Sequence, residues 1–385
     1  MRCLEICHHY PPYHTGGVGV FVFSLAQELA KLGVEVHVLC GGEVGSISSR
    51  SEAGLTVTRI PLPNLPPRNL WFQIKTYPLI RKYLSEVDVV HGHNTLSTVM
   101  ALANQGFERP WIVTVHGLFR RVLPLNLSRP ITERALGEDL VYTFGFPYNE
   151  ALHRVDLRVA DHLVFVAQHL LEDACKLYGG NLSAKASAIW APISMQPLIR
   201  SISSTKRDLT FANVGRFYWV KGIMILIDAF SRLAKTNKDV RLRLYGRGPL
   251  GAAIRKRIVQ LGLGQRVELR GWRPHSELLS ELADIDAFAF PSLYEACPIA
   301  VLEAMSLGKP VIVSDLPWGR EFVKDGLTGL LSKPEAGELC ERMRTLVEDG
   351  ELRVRLGKNA RAFVGLNFRP SEIARAYATL FDKMA

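Results

Sequence analysis

Residues 291–315 read P-S-L-Y-E-A-C-P-I-A-V-L-E-A-M-S-L-G-K-P-V-I-V-S-D. Pro298 is pre-organised for a first helical turn, and Gly308 reads as the stop of the helix that follows. Pro310 to Val313 then reads as a buried strand. Glu295 falls on the loop before the helix and Glu303 inside it. Around Glu303 the helix is apolar on every side, which marks a buried helix. A buried carboxylate is costly unless something hydrogen-bonds it. Two kinds of partner fit: the hydroxyls of a polyol such as a ribose or a hexose, or a core Arg or backbone group.

The same loop–helix–strand rhythm extends outward from this stretch in both directions. Downstream of residue 208 the pattern gives strands at Leu209–Val214, Val240–Tyr245, Val267–Arg270, Ala287–Phe290 and Val311–Ser314, separated by helices. The first half gives strands at Arg2–Cys7, Glu35–Cys40, Leu55–Ile60, Val87–His91, Trp111–His116 and His162–Val166, with a helix over Val18–Leu32. Alternating βα units predict a parallel, doubly wound sheet. Residues 118–150 interrupt the rhythm and read as loop plus helix. Residues 191–209, rich in Pro and Ser, read as a linker. The expected fold is therefore α/β, with two Rossmann-like lobes facing a central cleft and ligands at the carboxyl ends of the strands.

Composition agrees with this class. The chain has 385 residues, too many for one compact core, with 48% hydrophobic and 22% charged residues. Met1–Cys7 runs straight into a strand pattern with no basic leader, and no window matches a membrane-spanning helix. The six cysteines are scattered and form no C-x-x-C, as in a reduced, cytoplasmic protein. The net charge is +10, and it is uneven: residues 1–190 carry 17 basic and 16 acidic side chains, the rest 30 and 21. The second half thus favours an anionic ligand. No nucleic-acid motif appears and the charges are dispersed, so nucleic acid is not an expected partner.

Several strand-end loops could serve such a ligand. The first strand leads into His8 to Thr15 and then Gly16-Gly17-Val18-Gly19, where adjacent glycines let backbone N–H groups approach an anion at a helix N-terminus. The strand Leu209–Val214 runs into Gly215-Arg216-Phe217-Tyr218-Trp219-Val220-Lys221-Gly222. Its Arg and Lys form a workable clamp on a diphosphate, or else two solvated surface cations. Tyr245-Gly246-Arg247-Gly248 can pass close to a nucleotide. His116-Gly117 ends another strand, where an imidazole can bond a sugar hydroxyl or shuttle a proton. His91-Gly92-His93 could chelate a metal, but no third ligand has sensible spacing, so no metal is expected. Asp284-x-Asp286 lies at the wrong end of its strand for a site and reads as structural.

Taken in order, Gly16-Gly17-Val18-Gly19, His116-Gly117, Gly215-Arg216 with Lys221-Gly222, and Glu295-x7-Glu303 resemble the family-four glycosyltransferases of the GT-B fold. Glu321-Phe322-Val323 and Asp325-Gly326-x-Thr328-Gly329 fit that family's later pattern. The resemblance covers nearly the whole chain. It implies an N-terminal acceptor-binding domain over 1–192, a nucleotide-sugar-binding domain over 193–369, and a helix over 370–385 crossing back to the first domain. It also implies a retaining hexosyl transfer from a nucleotide-diphosphate sugar to a hydroxyl acceptor (glycan, lipid-linked sugar or small molecule), without metal or other cofactor. Gly16 and Gly17 would contact the donor diphosphate, with Arg216 and Lys221 neutralising it, and Gly215 and Gly246 would belong to the donor-binding loops. Glu303 would bind ribose hydroxyls, Glu295 the donor sugar, and His116 would orient the transferred sugar.

Two departures stand out. The lobe junction reads Trp190-Ala191-Pro192-Ile193-Ser194, where the family often has Asn-Gly-Val/Ile-Asp, and Phe217-Tyr218-Trp219 is unusually aromatic. The mixed aromatic and basic stretches 69–84 and 118–125 admit an interfacial contact at the inner membrane face, or else a core-facing helix, broken at Pro78, and a lid loop. Rival functions are a nucleotide-sugar 2-epimerase of the same fold and a non-catalytic binding protein.

Overall fold

The computed structural model describes residues 1–12, 16–42, 47–63, 68–93, 97–127, 136–195 and 208–385. Most of the loop 8–15 lies within this set, but residues 13–15, and the linker residues 196–207, lie outside it. By internal packing the chain forms two units. Unit 1 is Met1–Phe119, Gly145–Pro192 and Phe368–Ala385; unit 2 is Arg120–Phe144 and Ile193–Asn367.

Among the described residues, unit 1 has eight strands: β1 (Arg2–Cys7), β2 (Glu35–Gly42), β3 (Ser48–Glu52), β4 (Leu55–Pro61), β5 (Val89–His93), β6 (Trp111–Val115), β7 (His162–Phe165) and β8 (Ala186–Ala188). They run in the order β3-β4-β2-β1-β5-β6-β7-β8. All neighbours are parallel except β3 with β4. The inner strands β1, β5 and β6 are buried along nearly their whole length, as a sheet covered on both faces requires. The strand β3, S-S-R-S-E, was not legible in the sequence: it is exposed throughout and has no apolar face to set a period.

The helix Gly17–Lys31 buries Phe21, Val22, Leu25 and Leu29 and packs against the C-terminal helix Pro370–Met384. That last helix is amphipathic and buries Ile373, Ala374, Tyr377 and Phe381 in unit 1. Before it, Phe368 stacks on Trp190 with ring centroids 4.8 Å apart, so the departure at the lobe junction is partly a packing feature.

One expectation fails here. Pro78 does not break its helix, which runs from Arg68 to Leu84. The proline removes a hydrogen bond to the carbonyl of Ile74. Both residues are exposed, so that carbonyl can be hydrated, while Phe72, Thr76, Ile80 and Leu84 hold the opposite face in the core. Leu70, Ile74 and Tyr77 leave an apolar stripe on the outer side. No helix among the described residues is long and apolar enough to cross a membrane.

Among the described residues, unit 2 has six strands: β9 (Leu209–Val214), β10 (Val240–Tyr245), β11 (Val267–Gly271), β12 (Ala287–Phe290), β13 (Val311–Ser314) and β14 (Leu330–Ser332). They form one parallel sheet in the order β11-β10-β9-β12-β13-β14. Its core joins Phe211, Leu242 and Ala289 of the sheet to Leu226, Phe230 and Leu233 of the helix Ile223–Thr236, and to Leu339 and Met343 of Ala336–Glu348. Fully burying one such Phe or Leu contributes about 1.5–3 kcal/mol. Asp286 accepts a hydrogen bond from the Thr210 backbone N–H at 2.8 Å, as its reading as a structural residue anticipates.

Candidate active site

In unit 2 the chain proceeds outward from β9 through β10 to β11, then returns to the other side of β9 for β12. The strand order therefore reverses between β9 and β12, and such a switch point leaves a crevice at the carboxyl ends of the two strands. The loops leaving those ends are the two that carry Lys221 and Glu295.

Backbone contacts tie these loops to each other. Leu293 N–H and Ser292 Oγ–H both donate to the Val220 carbonyl, at 2.7 and 3.0 Å. Gly222 caps the helix Ile223–Thr236 with φ of 65°, and a Cβ there would lie 2.0 Å from the Pro291 carbonyl oxygen. Only glycine allows this approach. Gly246 closes the third loop in the same way: φ is 139°, and a Cβ would sit 1.9 Å from the Gly215 oxygen. Phe217 N–H donates to Arg247 O, and Gly215 N–H to Tyr245 O.

The result is a set of charges held at the sheet's carboxyl edge. Lys221 Nζ donates to Glu295 Oε1 at 2.6 Å, with the lysine side chain 23% and the glutamate 9% exposed. Lys221 Nζ also lies 5.6 Å from the centroid of the Phe290 ring, and Arg216 places its guanidinium 5.1 Å from that of Tyr218. The aromatic run after Arg216 has a structural explanation: Phe217 and Tyr218 are buried, and Trp219 packs against the core.

Glu303 lies where the sequence places it, in a buried helix, here Ile299–Ser306 with Pro298 as its cap. Its partner is neither an Arg nor the backbone. His275, the first residue of the helix His275–Ala283, brings Nε2 to 2.6 Å from Glu303 Oε1. That hydrogen bond is the main cause of a raised His275 pKa, against the opposing effect of burial. His275 is half exposed, so the pair reaches the surface. Sequence reasoning missed this residue. The available signal was its position, just beyond the carboxyl end of β11.

In unit 1, Gly16 caps the helix Gly17–Lys31, and both glycines are exposed. A Cβ on Gly16 would meet nothing within 4 Å, so no packing demands a glycine there. The first N–H groups of this helix have no intrahelical acceptor. Phe21, one turn in, sets its ring edge-on to His116 at 4.9 Å.

His116, after the end of β6, is the outer member of a buried polar chain. Its Nε2 lies 3.0 Å from His93 Nδ1. His93 Nε2 and His91 Nδ1 each lie 2.8 Å from a different oxygen of Glu5. His91 Nε2 meets Thr114 Oγ1 at 2.7 Å, which in turn meets the Tyr377 hydroxyl at 3.0 Å. Glu5, His91 and Thr114 are fully buried and His93 nearly so. Burial pushes the Glu5 pKa up, but the charge and hydrogen bonds of His91 and His93 outweigh it and hold the pKa at about 2. Burial first, and then His91, lowers His93 to about 4 despite Glu5. Burial, with His93 and His91, takes His116 well below its ordinary value. The sequence shows His91-x-His93 without a third partner. The sheet supplies one, because β1 and β5 are neighbours with Glu5 opposite His91.

Comparison with known proteins gives concordant results. Residues 15–191 match the family model "Glycosyltransferase Family 4", and residues 195–363 match "Glycosyl transferases group 1". Glycogen synthase of Mycobacterium tuberculosis is 25% identical over 419 aligned positions, covering 99% of this chain and 94% of the relative. Among solved structures, sucrose-phosphate synthase from Thermosynechococcus elongatus superposes with a TM-score of 0.78 at 22% identity, covering 99% of this chain and 98% of that one. HepE of Anabaena, in complex with UDP-glucose, does so with a TM-score of 0.75 at 19% identity over the whole of both chains.

Proposed function

The chain belongs to the family-four glycosyltransferases of the GT-B fold, and on that premise we propose that it transfers a hexosyl unit from a nucleotide-diphosphate sugar to a hydroxyl acceptor, with retention of anomeric configuration and without a metal. The carrying observation is the Lys221–Glu295 pair, held at the switch point of unit 2 by loops that only glycine allows to close. A pre-positioned cation at a switch point suits a diphosphate, whose charge grows as the glycosidic bond breaks. That a structural neighbour holds UDP-glucose supports a nucleotide-sugar donor.

In this reading Arg216 and Lys221 stabilise the departing diphosphate in place of a divalent ion. The acceptor hydroxyl attacks the anomeric carbon on the face from which the phosphate leaves. The bond from that carbon to the phosphate oxygen breaks, the new glycosidic bond forms, and the acceptor's proton passes to the leaving phosphate oxygen. Glu303, steadied by His275, takes the ribose hydroxyls, and Glu295 takes a hydroxyl of the donor sugar. The loops at Gly215 and Gly246 let the nucleotide approach the backbone. The family resemblance assigns His116 to the transferred sugar, and Gly16 and Gly17 to the diphosphate. The acceptor is a sugar or lipid-linked sugar bound by unit 1. The outer stripe Leu70, Ile74 and Tyr77 beside Lys75 supports contact with a membrane surface.

A thermal-shift screen of nucleotide sugars identifies the donor, since a bound ligand raises stability by mass action. With that donor, Lys221→Ala and Glu303→Ala are expected to lower transfer at least about 10²-fold, with the far-UV circular dichroism unchanged. Product anomeric configuration by proton NMR and activity in a chelator complete the test. Full activity in either variant, an inverted product or loss of activity on chelation overturns the proposal.

A further inference from the structure

The buried chain from Glu5 to His116 has a direction that can be worked out from its two ends. An ionised carboxylate only accepts hydrogen bonds, so both rings facing Glu5 must present a protonated nitrogen to it. His91 Nδ1–H therefore donates to Oε1 and His93 Nε2–H to Oε2. His93 is buried and neutral near pH 7, because its pKa is held at about 4. With its proton on Nε2, its Nδ1 can only accept. The group 3.0 Å away, His116 Nε2, must then be the donor. His116 is itself neutral, so its remaining nitrogen, Nδ1, is an acceptor.

We propose that Glu5, acting through His93, is a positioning residue that fixes His116 as the Nε2–H tautomer and makes its Nδ1 an acceptor for a hydroxyl of the transferred sugar. The second half of this statement rests on the glycosyl-transfer reading; the first does not. Two features support a fixed rather than an averaged tautomer. The ring of His91 is held from its far side by Thr114, which Tyr377 of the C-terminal helix holds in turn. Phe21 closes one side of both His93 and His116, with ring centroids 5.7 and 4.9 Å away.

Glu5, His91 and His93 also bring ligand atoms within 4.8 Å of one another, as a metal site would. Their arrangement favours protons. Glu5 spends one oxygen on each ring at hydrogen-bond distance, and the outer nitrogens are taken by Thr114 and His116. A three-ligand metal would need an open fourth position, and this cluster is sealed.

The experiment is long-range proton–nitrogen correlation NMR on the full chain labelled at histidine, which reads each ring's tautomer without any substrate. The native chain should show His116 as neutral Nε2–H between pH 6 and 8. In Glu5→Gln, whose amide can present an N–H to His93, His93 and His116 should populate Nδ1–H, and kcat/KM should fall at least tenfold. Glu5→Asp, which keeps the anion, should restore the Nε2–H form. A native His116 protonated on Nδ1, an unchanged His116 tautomer in Glu5→Gln, or one equivalent of zinc on the purified protein each overturns the proposal. If the tautomers behave as stated but no nucleotide sugar supports transfer, the proposed function fails and the relay stands.

Discussion

Lowering the pH from 7 to 5 should destabilise unit 1 before unit 2. His93 and His153 are buried in unit 1, and burial, the first cause in each case, lowers both from 6.5 to about 4. A base whose pKa is lowered by folding binds its proton more readily in the unfolded chain. Its contribution to stability is complete above 6.5 and is lost as the pH falls toward 4. At pH 5 the unfolded imidazole is mostly protonated and the native one mostly not, a difference of about 2 kcal/mol per histidine. The two together remove about 4 kcal/mol, and His116 acts in the same direction. This is a large share of the roughly 5–15 kcal/mol that holds an ordinary domain together. Glu5 adds nothing yet, since its window runs from 4.5 down to about 2. In unit 2, His275 has the opposite sign: its pKa is raised, so its contribution is present at low pH and lost as the pH rises through it. Hydrogen exchange read by mass spectrometry, corrected for the intrinsic pH dependence, follows each unit separately. Peptides over β5 and β6 should lose protection at pH 5 while those over β9 and β12 keep it. Equal protection of β5 and β6 at the two pH values, or earlier loss in unit 2, refutes the reasoning.

Substitutions at two glycines should separate packing from ligand approach. Gly222→Ala forces a Cβ to within 2.0 Å of a backbone oxygen at positive φ, so it should lower stability by about 1–3 kcal/mol in urea unfolding and weaken donor stabilisation. Gly16→Ala meets nothing within 4 Å and should unfold like the native protein; a transfer defect there would report backbone contact with the donor. His275→Ala should cost about 1–3 kcal/mol by leaving the buried Glu303 carboxylate without its imidazole, and His275→Gln should recover part of it. Native-like stability in His275→Ala would show that water replaces the ring without loss.

What was legible in the sequence follows from how local each signal is. The strands β6 and β12 are short, mostly apolar runs bounded by proline or polar residues, so their burial is written into consecutive positions. Gly222 and Gly246 were legible as loop residues, but their necessity depends on Pro291 and Gly215, which approach from other strands. The helix Arg68–Leu84 was misread at Pro78 because a proline's cost depends on whether the carbonyl it strands faces water, and that is decided by packing.

The sequence by itself determined the α/β class and the family, and it singled out Arg216, Lys221, Glu295, Glu303 and His116 as candidates, since residue type, period and spacing are local properties. Tertiary structure alone decided the partners. Lys221 meets Glu295 because β9 and β12 are neighbours, His275 meets Glu303 because two helices adjoin, and Glu5 meets His91 and His93 because β1 lies beside β5. Hydrogen bonds, charged ones included, form only at about 3 Å, while these partners are 28 to 88 residues apart in the chain. Only the order of strands in a sheet turns such separations into contacts.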